Sequence, residues 1–459
     1  MSKRLLFLLL SIPLISQGQF NNFGYGLVIN SQLTGSSLQL WVNDPALGII
    51  TSQMSNVTTY LIEDGCVIST NGSSVAYATY DTEDHQWKSG STSTSSSVTI
   101  HNKDGVVGWT TSGGSVYYGT YDPIDKFWSF YGGSTGSNPT LVLNQGIAAF
   151  CTPGGNIGHG IYEYSQHAWV TYGGSIGANP VLSVAEGNVA YCSPNGTLNY
   201  GFYNHNTKQW TNFISANGSN PTIVNQDGVF AYTTPAGYIF YSTYDPINNQ
   251  WISVGTSIGQ NPVLSINNGT VHYSDGSNTY IYGYDFNAGV WISHQQTVIC
   301  CKTYIEIPDV NHPDYCVFRV VSIGANTYNY DCGDGQHILQ RNAIKKYNNS
   351  GIYNPSVIVS NSSSNSSCSN PVSIGTGIST IKKMNFDIAP NPSSSNIKIK
   401  SPLKINSLQI ANPQGKFILA KTLIEDSETE VNISQYPSGI YFIQLNVDGI
   451  TYNEKIIKQ

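Results

Sequence analysis

Ser112-Gly113-Gly114-Ser115-Val116-Tyr117-Tyr118-Gly119-Thr120-Tyr121-Asp122-Pro123-Ile124-Asp125-Lys126-Phe127-Trp128 carries the pattern that decides the fold. Its Tyr and Trp, seven residues apart, return as Tyr80/Trp87, Tyr121/Trp128, Tyr162/Trp169, Tyr203/Trp210, Tyr244/Trp251 and Tyr284/Trp291, in steps of 41 and finally 40 residues. The residue after each Tyr is acidic or short and polar: Asp81, Asp122, Glu163, Asn204, Asp245 and Asp285. With only 8 Trp in 459 residues, this spacing marks an internal repeat, and a period of roughly 20–50 residues belongs to solenoids, propellers and arrays.

Working outward, Asn138-Pro139, Asn179-Pro180, Asn220-Pro221 and Asn261-Pro262 keep the same step, as do Gly105, Gly146, Gly187, Gly228 and Gly269. Short β-rich runs flank each glycine, so one unit reads as four antiparallel strands joined by tight turns. A helix-free unit repeated this often buries its faces and protects its edges best as a β-propeller. The Gly pair, Tyr-Asp-Pro and Trp of Gly113-Gly114, Tyr121-Asp122-Pro123 and Trp128 resemble the kelch-type repeat, although Asn195-Gly196 and Ala236-Gly237 depart from it. Residues 24–50 copy the last three strands of a unit, with Ile50 in place of Trp. Residues 295–301 are the expected source of the missing strand. The predicted fold class is therefore all-β, with a seven-bladed propeller and a six-bladed one as the alternative.

Only 10% of residues are charged and the net charge is −7, which excludes the basic footprint of a nucleic-acid binder. Lys3 and Arg4, the apolar run 5–15 and small residues up to Gly18 read as a signal peptide, cleaved before Gln19. No other stretch is apolar enough for a spanning helix, so none is expected in the mature chain. Of eight cysteines, five cluster after the repeats (Cys300, Cys301, Cys316, Cys332 and Cys368), and disulfide bonding is expected within that cluster with the pairing open.

After the period ends, Tyr328-Asn329-Tyr330-Asp331-Cys332-Gly333-Asp334-Gly335, Lys346-Tyr347 and the Val357-Ile358-Val359 run resemble the PKD domain, implying an immunoglobulin-like β-sandwich. A Ser/Asn-rich linker follows. Then come Ala389-Pro390-Asn391-Pro392, Ile397-Lys398-Ile399-Lys400, Asn412-Pro413-Gln414-Gly415-Lys416 and Tyr436-Pro437-Ser438-Gly439-Ile440-Tyr441. These resemble the type A C-terminal sorting domain of the type IX secretion system, and period-2 alternation independently predicts a small C-terminal β-sandwich. The resemblance implies handling by the type IX machinery through residues 384–459, and delivery past the periplasm to the outer-membrane surface of a Gram-negative bacterium or its surroundings. The expected organisation is signal peptide 1–18, propeller 19–301, PKD-like domain 302–361, linker 362–383 and sorting domain 384–459.

No GxSxG, HExxH or phosphate loop is present. The recurring Tyr and Trp, with Asp122 and Asp245 among the acids, read as repeat structure, the acids capping a turn before the Trp strand and the Trp rings packing the blades. The histidines share no metal-ligand spacing, and no metal site is expected. Calcium at Asp331 and Asp334 is the one ion weighed, with a turn role preferred and no cofactor expected. Tyrosines that do not recur in every repeat are the candidate ligand contacts: Tyr238, Tyr280, Tyr131 and Tyr172. These residues favour a non-catalytic adhesion or capture protein for polysaccharide or a surface protein. The alternatives are a glycan-active propeller enzyme, for which Asp84, Asp125 and Asp275 would have to converge, and a structural surface or motility component.

Overall fold

The computed structural model describes residues 28–375, 386–412, 417–447 and 450–459, apart from positions 45, 217, 247 and 287. The expected leader with Gly18 and Gln19, and residues 376–383, lie outside the described residues. The chain divides into two compact units, Met1–Thr376 and Gly377–Gln459, and no α-helix occurs among the described residues.

In the Trp128 repeat, Val98–Lys103, Val106–Thr111, Ser115–Asp122 and Phe127–Ser134 form an antiparallel four-stranded meander. Residues 59–93, 140–175, 181–216, 222–257 and 263–293 repeat that order, and residues 28–54 form a three-stranded sheet. The hairpin between the first two strands explains the recurring glycine. Asp104 and Gly105 have φ of 50° and 76°, and Gln145 and Gly146 have 52° and 78°, the paired left-handed geometry of a two-residue hairpin that matches strand twist. In the 28–54 sheet the last turn is one residue shorter, so Ile49 rather than Ile50 stands opposite Asn43.

First strands of successive sheets lie against one another, Val98–Lys103 on Thr140–Asn144 and Thr140–Asn144 on Val181–Ala185. Apolar side chains fill the space between sheets: Ile147, Ala149 and Ile157 of one pack with Val189 and Tyr191 of the next. The repeated Trp adds a polar tie in four repeats, because its ring N–H donates to a carbonyl of the preceding repeat. Trp128 bonds Lys88 O at 3.0 Å, Trp169 bonds Ser129 O at 3.1 Å, Trp210 bonds Val170 O at 2.9 Å and Trp291 bonds Ile252 O at 3.0 Å.

Trp87, Trp251 and Trp291 differ in the contacts they make. Each is only half-buried, as are the other three, because the Trp strand is the outer edge of its four-stranded sheet and covers the ring on one side only. The ring nitrogens of Trp87 and Trp251 make no hydrogen bond to a neighbouring repeat. Those two rings depend on contact alone. Trp87 packs on Leu38, Leu40 and Val67, and Trp251 meets Tyr200 of the preceding repeat edge-on, with 4.8 Å between ring centres. Trp291 meets Tyr241 in the same way at 4.9 Å and keeps the polar tie as well.

Residues 300–374 form two main sheets around one core, with a two-stranded sheet of Gly351–Tyr353 and Val372–Ile374 beside them. Cys300–Glu306, Tyr315–Ile323 and Asn342–Lys346 make one; His337–Ile338, Thr327–Asp331, Ser356–Ser360 and Asn365–Ser369 make the other. Cys316, Phe318 and Val320 meet Tyr330, Val357 and Val359 between them. Tyr315–Ile323 is buried along its whole length. Its alternate residues face the repeats instead: Tyr315 and Val317 pack with Tyr121 and Tyr162, Val321 with Phe202 and Tyr244, and Ile323 with Val229 and Tyr241. A strand with no polar face is what period-2 geometry requires when both sides are covered.

Two further expectations fail here. Residues 295–301 do not close the repeat array, because Cys300–Glu306 pairs with Tyr315–Ile323 of the following sandwich. Residues 362–375 are not a linker: Asn365–Ser369 pairs with Ser356–Ser360, and Val372–Ile374 pairs with Gly351–Tyr353. Backbone pairing needs no apolar side chains at a sheet edge, while buried Val372 and Ile374 and a Cys301–Cys368 disulfide fix the segment. That disulfide falls within the expected cluster. Cys300, Cys316 and Cys332 remain buried thiols, each pushed up to about 12 by burial.

In the C-terminal unit the strand order is Asp387–Ala389, Asn396–Ala411, Gly439–Val447 and Ile450–Lys458, with Phe417–Asn432 also paired to Asn396–Ala411. Ile397, Ile399, Leu408, Ile443 and Leu445 form its core. The Pro390-Asn391-Pro392 turn acts through Asn391, whose amide donates to Lys455 O at 3.0 Å and accepts from Ile457 N at 2.9 Å.

Candidate functional site

The turn acids Asp44, Asp81, Asp122, Glu163 and Asp245 each serve two neighbours. One carboxylate oxygen caps its own turn, as Asp81 Oδ1 does for the amides of Glu83 and Asp84 at 2.9 Å each. The other accepts the hydroxyl of the next repeat's Tyr: Tyr80 to Asp44 (2.8 Å), Tyr121 to Asp81 (2.7 Å), Tyr162 to Asp122 (2.8 Å), Tyr203 to Glu163 (2.9 Å) and Tyr284 to Asp245 (2.9 Å). Asn204, lacking a charge, donates its amide to the Tyr244 hydroxyl at 2.8 Å. Sequence spacing suggested the turn cap, whereas the clasp spans 36 to 40 residues and lies outside any local motif. Burial would raise the Asp44 carboxyl, but hydrogen bonds from His85, Leu47 N, Tyr80 and Ala46 N outweigh it and hold it at about 2.

The repeat pattern breaks at Glu163, Asn204 and His205, and the chain fills that break itself. Arg319, 3% exposed, places Nη1 2.6 Å from Glu163 Oε2 and Nη2 3.1 Å from Tyr162 O. Nη1 also lies 3.4 Å from His205 Nδ1. Burial raises the Glu163 carboxyl, yet Arg319 and then Lys208 hold it well below the carboxylate range. Burial, with Arg319 beside it, keeps His205 neutral.

The four ligand candidates separate. Tyr131 and Tyr172 stand at one register of successive last strands, each opposite an aromatic ring of its own sheet, Tyr118 and His159. Phe213, opposite Tyr200, continues the row. Tyr131 is 46% and Phe213 41% exposed, with Tyr172 half-buried between them. Gly132-Gly133 and Gly173-Gly174 follow the two tyrosines, while His159 stacks on Tyr172 at 5.1 Å between ring centres and Tyr118 lies 5.7 Å from Tyr131. Tyr238 and Tyr280 lie on third strands and pack on their own sheets, against Tyr232 (5.8 Å between ring centres) and Tyr273 (5.0 Å).

The three acids named for an enzyme do not converge. Asp84 pairs with Lys88 and Lys126, and Asp125 with His167. Asp275 caps its own turn through Ser277 N and Asn278 N, at the sheet end opposite to the Asp84 and Asp125 turns. Asp331 and Asp334 accept from Gly333 N and Gln336 N, and Asp334 also pairs with Lys345 at 2.9 Å. Donor atoms that converge closely enough for an ion occur at Asp122, Asp125 and His167, and at Glu63, Asp64 and Asp104.

With this geometry in place, residues 387–459 match the secretion system C-terminal sorting domain. That domain indicates export to the cell surface or secretion in Gram-negative Bacteroidetes. No helix among the described residues is long and apolar enough to cross a membrane. No curated protein matches the chain. Among solved structures, Hsv2p of Kluyveromyces lactis is 11% identical with a TM-score of 0.26, over 59% of this chain and 98% of that one. The extracellular domain of a one component system from B. thetaiotaomicron is 12% identical with a TM-score of 0.23, over 94% of this chain and 62% of that one. Scores this low define no shared fold.

Proposed function

We propose that this is a secreted or cell-surface, non-catalytic binding protein whose repeats recognise polysaccharide. In this reading the sheets are propeller blades, a three-stranded first blade and six four-stranded ones. Residues 300–374 are a PKD-like sandwich seated on them, and the C-terminal unit addresses the chain to the type IX machinery. The observation that carries it is the row Tyr131, Tyr172 and Phe213, aromatic faces at one register on successive strands in a Gly/Ser-rich surround. Aromatic faces with nearby amides and hydroxyls suit stacking on sugar rings. A protein partner is the alternative occupant of the same row. An enzyme is disfavoured because Asp84 is paired with Lys88 and Lys126 and Asp275 lies at the opposite sheet end, so the three acids do not meet.

The test is affinity electrophoresis of the full chain in gels containing neutral and acidic polysaccharides, with reducing ends assayed in parallel. Retardation by at least one glycan is expected, weakened about tenfold or more in a Tyr131→Ala/Phe213→Ala variant. Retardation that the double variant leaves unchanged would reject the row. Released reducing ends would reject the non-catalytic role, and no retardation by any glycan would favour the protein partner.

A further inference from the structure

The position five residues after each repeat Tyr is left-handed, with φ of 56° at His85, 59° at Lys126, 50° at His167, 54° at Lys208 and 54° at Asn249. That conformation turns the side chain back over the acidic turn of the preceding repeat. In two interfaces the residue there is a lysine. Lys126 pairs with Asp84 and, at 3.0 Å, Glu83; Lys208 meets Glu163 at 3.4 Å and Glu306 at 3.0 Å. Between them, in the Trp169 repeat, stands His167.

His167 faces two carboxylates through one nitrogen: Nδ1 is 3.0 Å from Asp122 Oδ2 and 2.9 Å from Asp125 Oδ2. A single ring N–H cannot point along both directions, whereas an ion shared by the three atoms satisfies all of them. Asp122 is fully buried, so its charge has little water to face, and its Oδ2 is already oriented by the Tyr162 hydroxyl at 2.8 Å. Separations of 2.9 and 3.0 Å would place the donors about 2.1 Å from one ion at angles near about 90°. One imidazole nitrogen with two carboxylate oxygens is a donor set for divalent transition metals. His167 and Asp125 keep 27% and 40% of their side chains exposed, leaving an entry path and room for water ligands. Asp309, paired with His312 at 2.6 Å, is within electrostatic reach of His167 from the sandwich side.

We propose that Asp122, Asp125 and His167 bind one divalent transition-metal ion, with Mn2+ and Zn2+ the candidates for a six-coordinate site completed by water, as a metal clasp between two repeats where the flanking interfaces use lysine. Tyr162 acts as a positioning residue through Asp122. The site is independent of the aromatic row and of any polysaccharide.

The full chain, stripped with EDTA and dialysed, would be titrated with ZnCl2 and with MnCl2 by calorimetry, with bound metal counted by mass spectrometry and melting followed by circular dichroism. One bound ion per chain and a metal-dependent rise in Tm are expected. Asp125→Asn and His167→Gln should each weaken binding at least about 100-fold, and Tyr162→Phe about tenfold. His167→Lys supplies the ammonium of the flanking repeats, so it should melt at or above the metal-free parent and lose the bound ion. Circular dichroism of that variant separates a lost site from a lost fold. Metal uptake equal in parent, His167→Lys and Asp125→Asn, or no uptake by the parent, would overturn the proposal.

Discussion

Arg319 donates to Glu163 across 156 residues of sequence, joining the strand Tyr315–Ile323 to the one repeat whose acid is a glutamate. The longer side chain lets Glu163 serve Tyr203, Ser165 and the guanidinium together. Removing only the guanidinium leaves a buried carboxylate served by Lys208 and hydroxyls, which is strongly unfavourable. Arg319→Met is therefore expected to lower stability by about 3 kcal/mol, read from denaturant unfolding followed by Trp fluorescence. The Glu163→Gln/Arg319→Met pair should recover most of that loss, since no uncompensated charge remains. Equal losses in the single and double variants would show that the ion pair is not what seats the strand.

The Tyr clasps predict a second pattern. Tyr121→Phe and Tyr284→Phe each remove a hydroxyl bonded to a buried carboxylate, and each should cost about 1–2 kcal/mol. Tyr244→Phe loses a bond to neutral Asn204 and should cost less. The Tyr121 and Tyr284 interfaces are far apart in a repeat array in which each unit contacts its neighbours, so those two losses should add to within about 0.5 kcal/mol. Marked non-additivity would mean that the two interfaces are energetically coupled through the units between them.

The repeats were legible because a 41-residue period survives in sequence wherever the same Tyr, acid and Trp do the same local task. The four-strand order of each unit and the turn capping followed from that. What the period could not convey is contact between repeats, where an acid meets a Tyr some 40 residues on, or contact from outside them. The same limit separates Trp291, whose ring N–H reaches the preceding repeat, from Trp87 and Trp251, which share its spacing and make no such bond. Arg319 belongs to no repeat, and nothing in its local sequence says that it enters the break at Glu163 and His205. The break looked like a place for a ligand and holds the chain's own side chain. Among the candidate tyrosines, exposure separated Tyr131 from Tyr238 and Tyr280, and exposure depends on which strand stacks on which.

Asp64 provides a pH test of opposite sign to the clasped acids. Burial, and then the charges of Asp104 and Glu63, raise its carboxyl from 3.8 to about 6. Between those values the folded chain holds a proton that the unfolded chain releases, so stability falls as pH rises through that window. Asp64→Asn should consequently melt with the parent near pH 4 and above it at pH 7, with Asn well suited to the left-handed φ of 49°. Thermal melts at the two pH values check this, and a stabilisation equal at both would show that charge is not the cause. For Asp44, whose carboxyl is held at about 2, stability is instead present above the usual carboxylate value and lost as pH falls towards 2.

The Cys301–Cys368 disulfide ties Cys300–Glu306 to the Ser-rich edge strand Asn365–Ser369 across a separation of 67 residues. That strand offers few apolar side chains, so its place depends on backbone pairing and on the cross-link. Closing a loop of that length restricts the unfolded chain by up to about 4 kcal/mol. Cys301→Ala/Cys368→Ala should therefore lower the melting temperature, and the loss should be local to the sandwich edge. Hydrogen exchange distinguishes local from global loosening: amides of 365–369 should exchange faster in the variant, while those of Val229–Thr233, buried within a repeat, keep the parent rate. If both segments accelerate together, the sandwich and repeats unfold as one cooperative body, and the cross-link stabilises the array as much as the edge it pins.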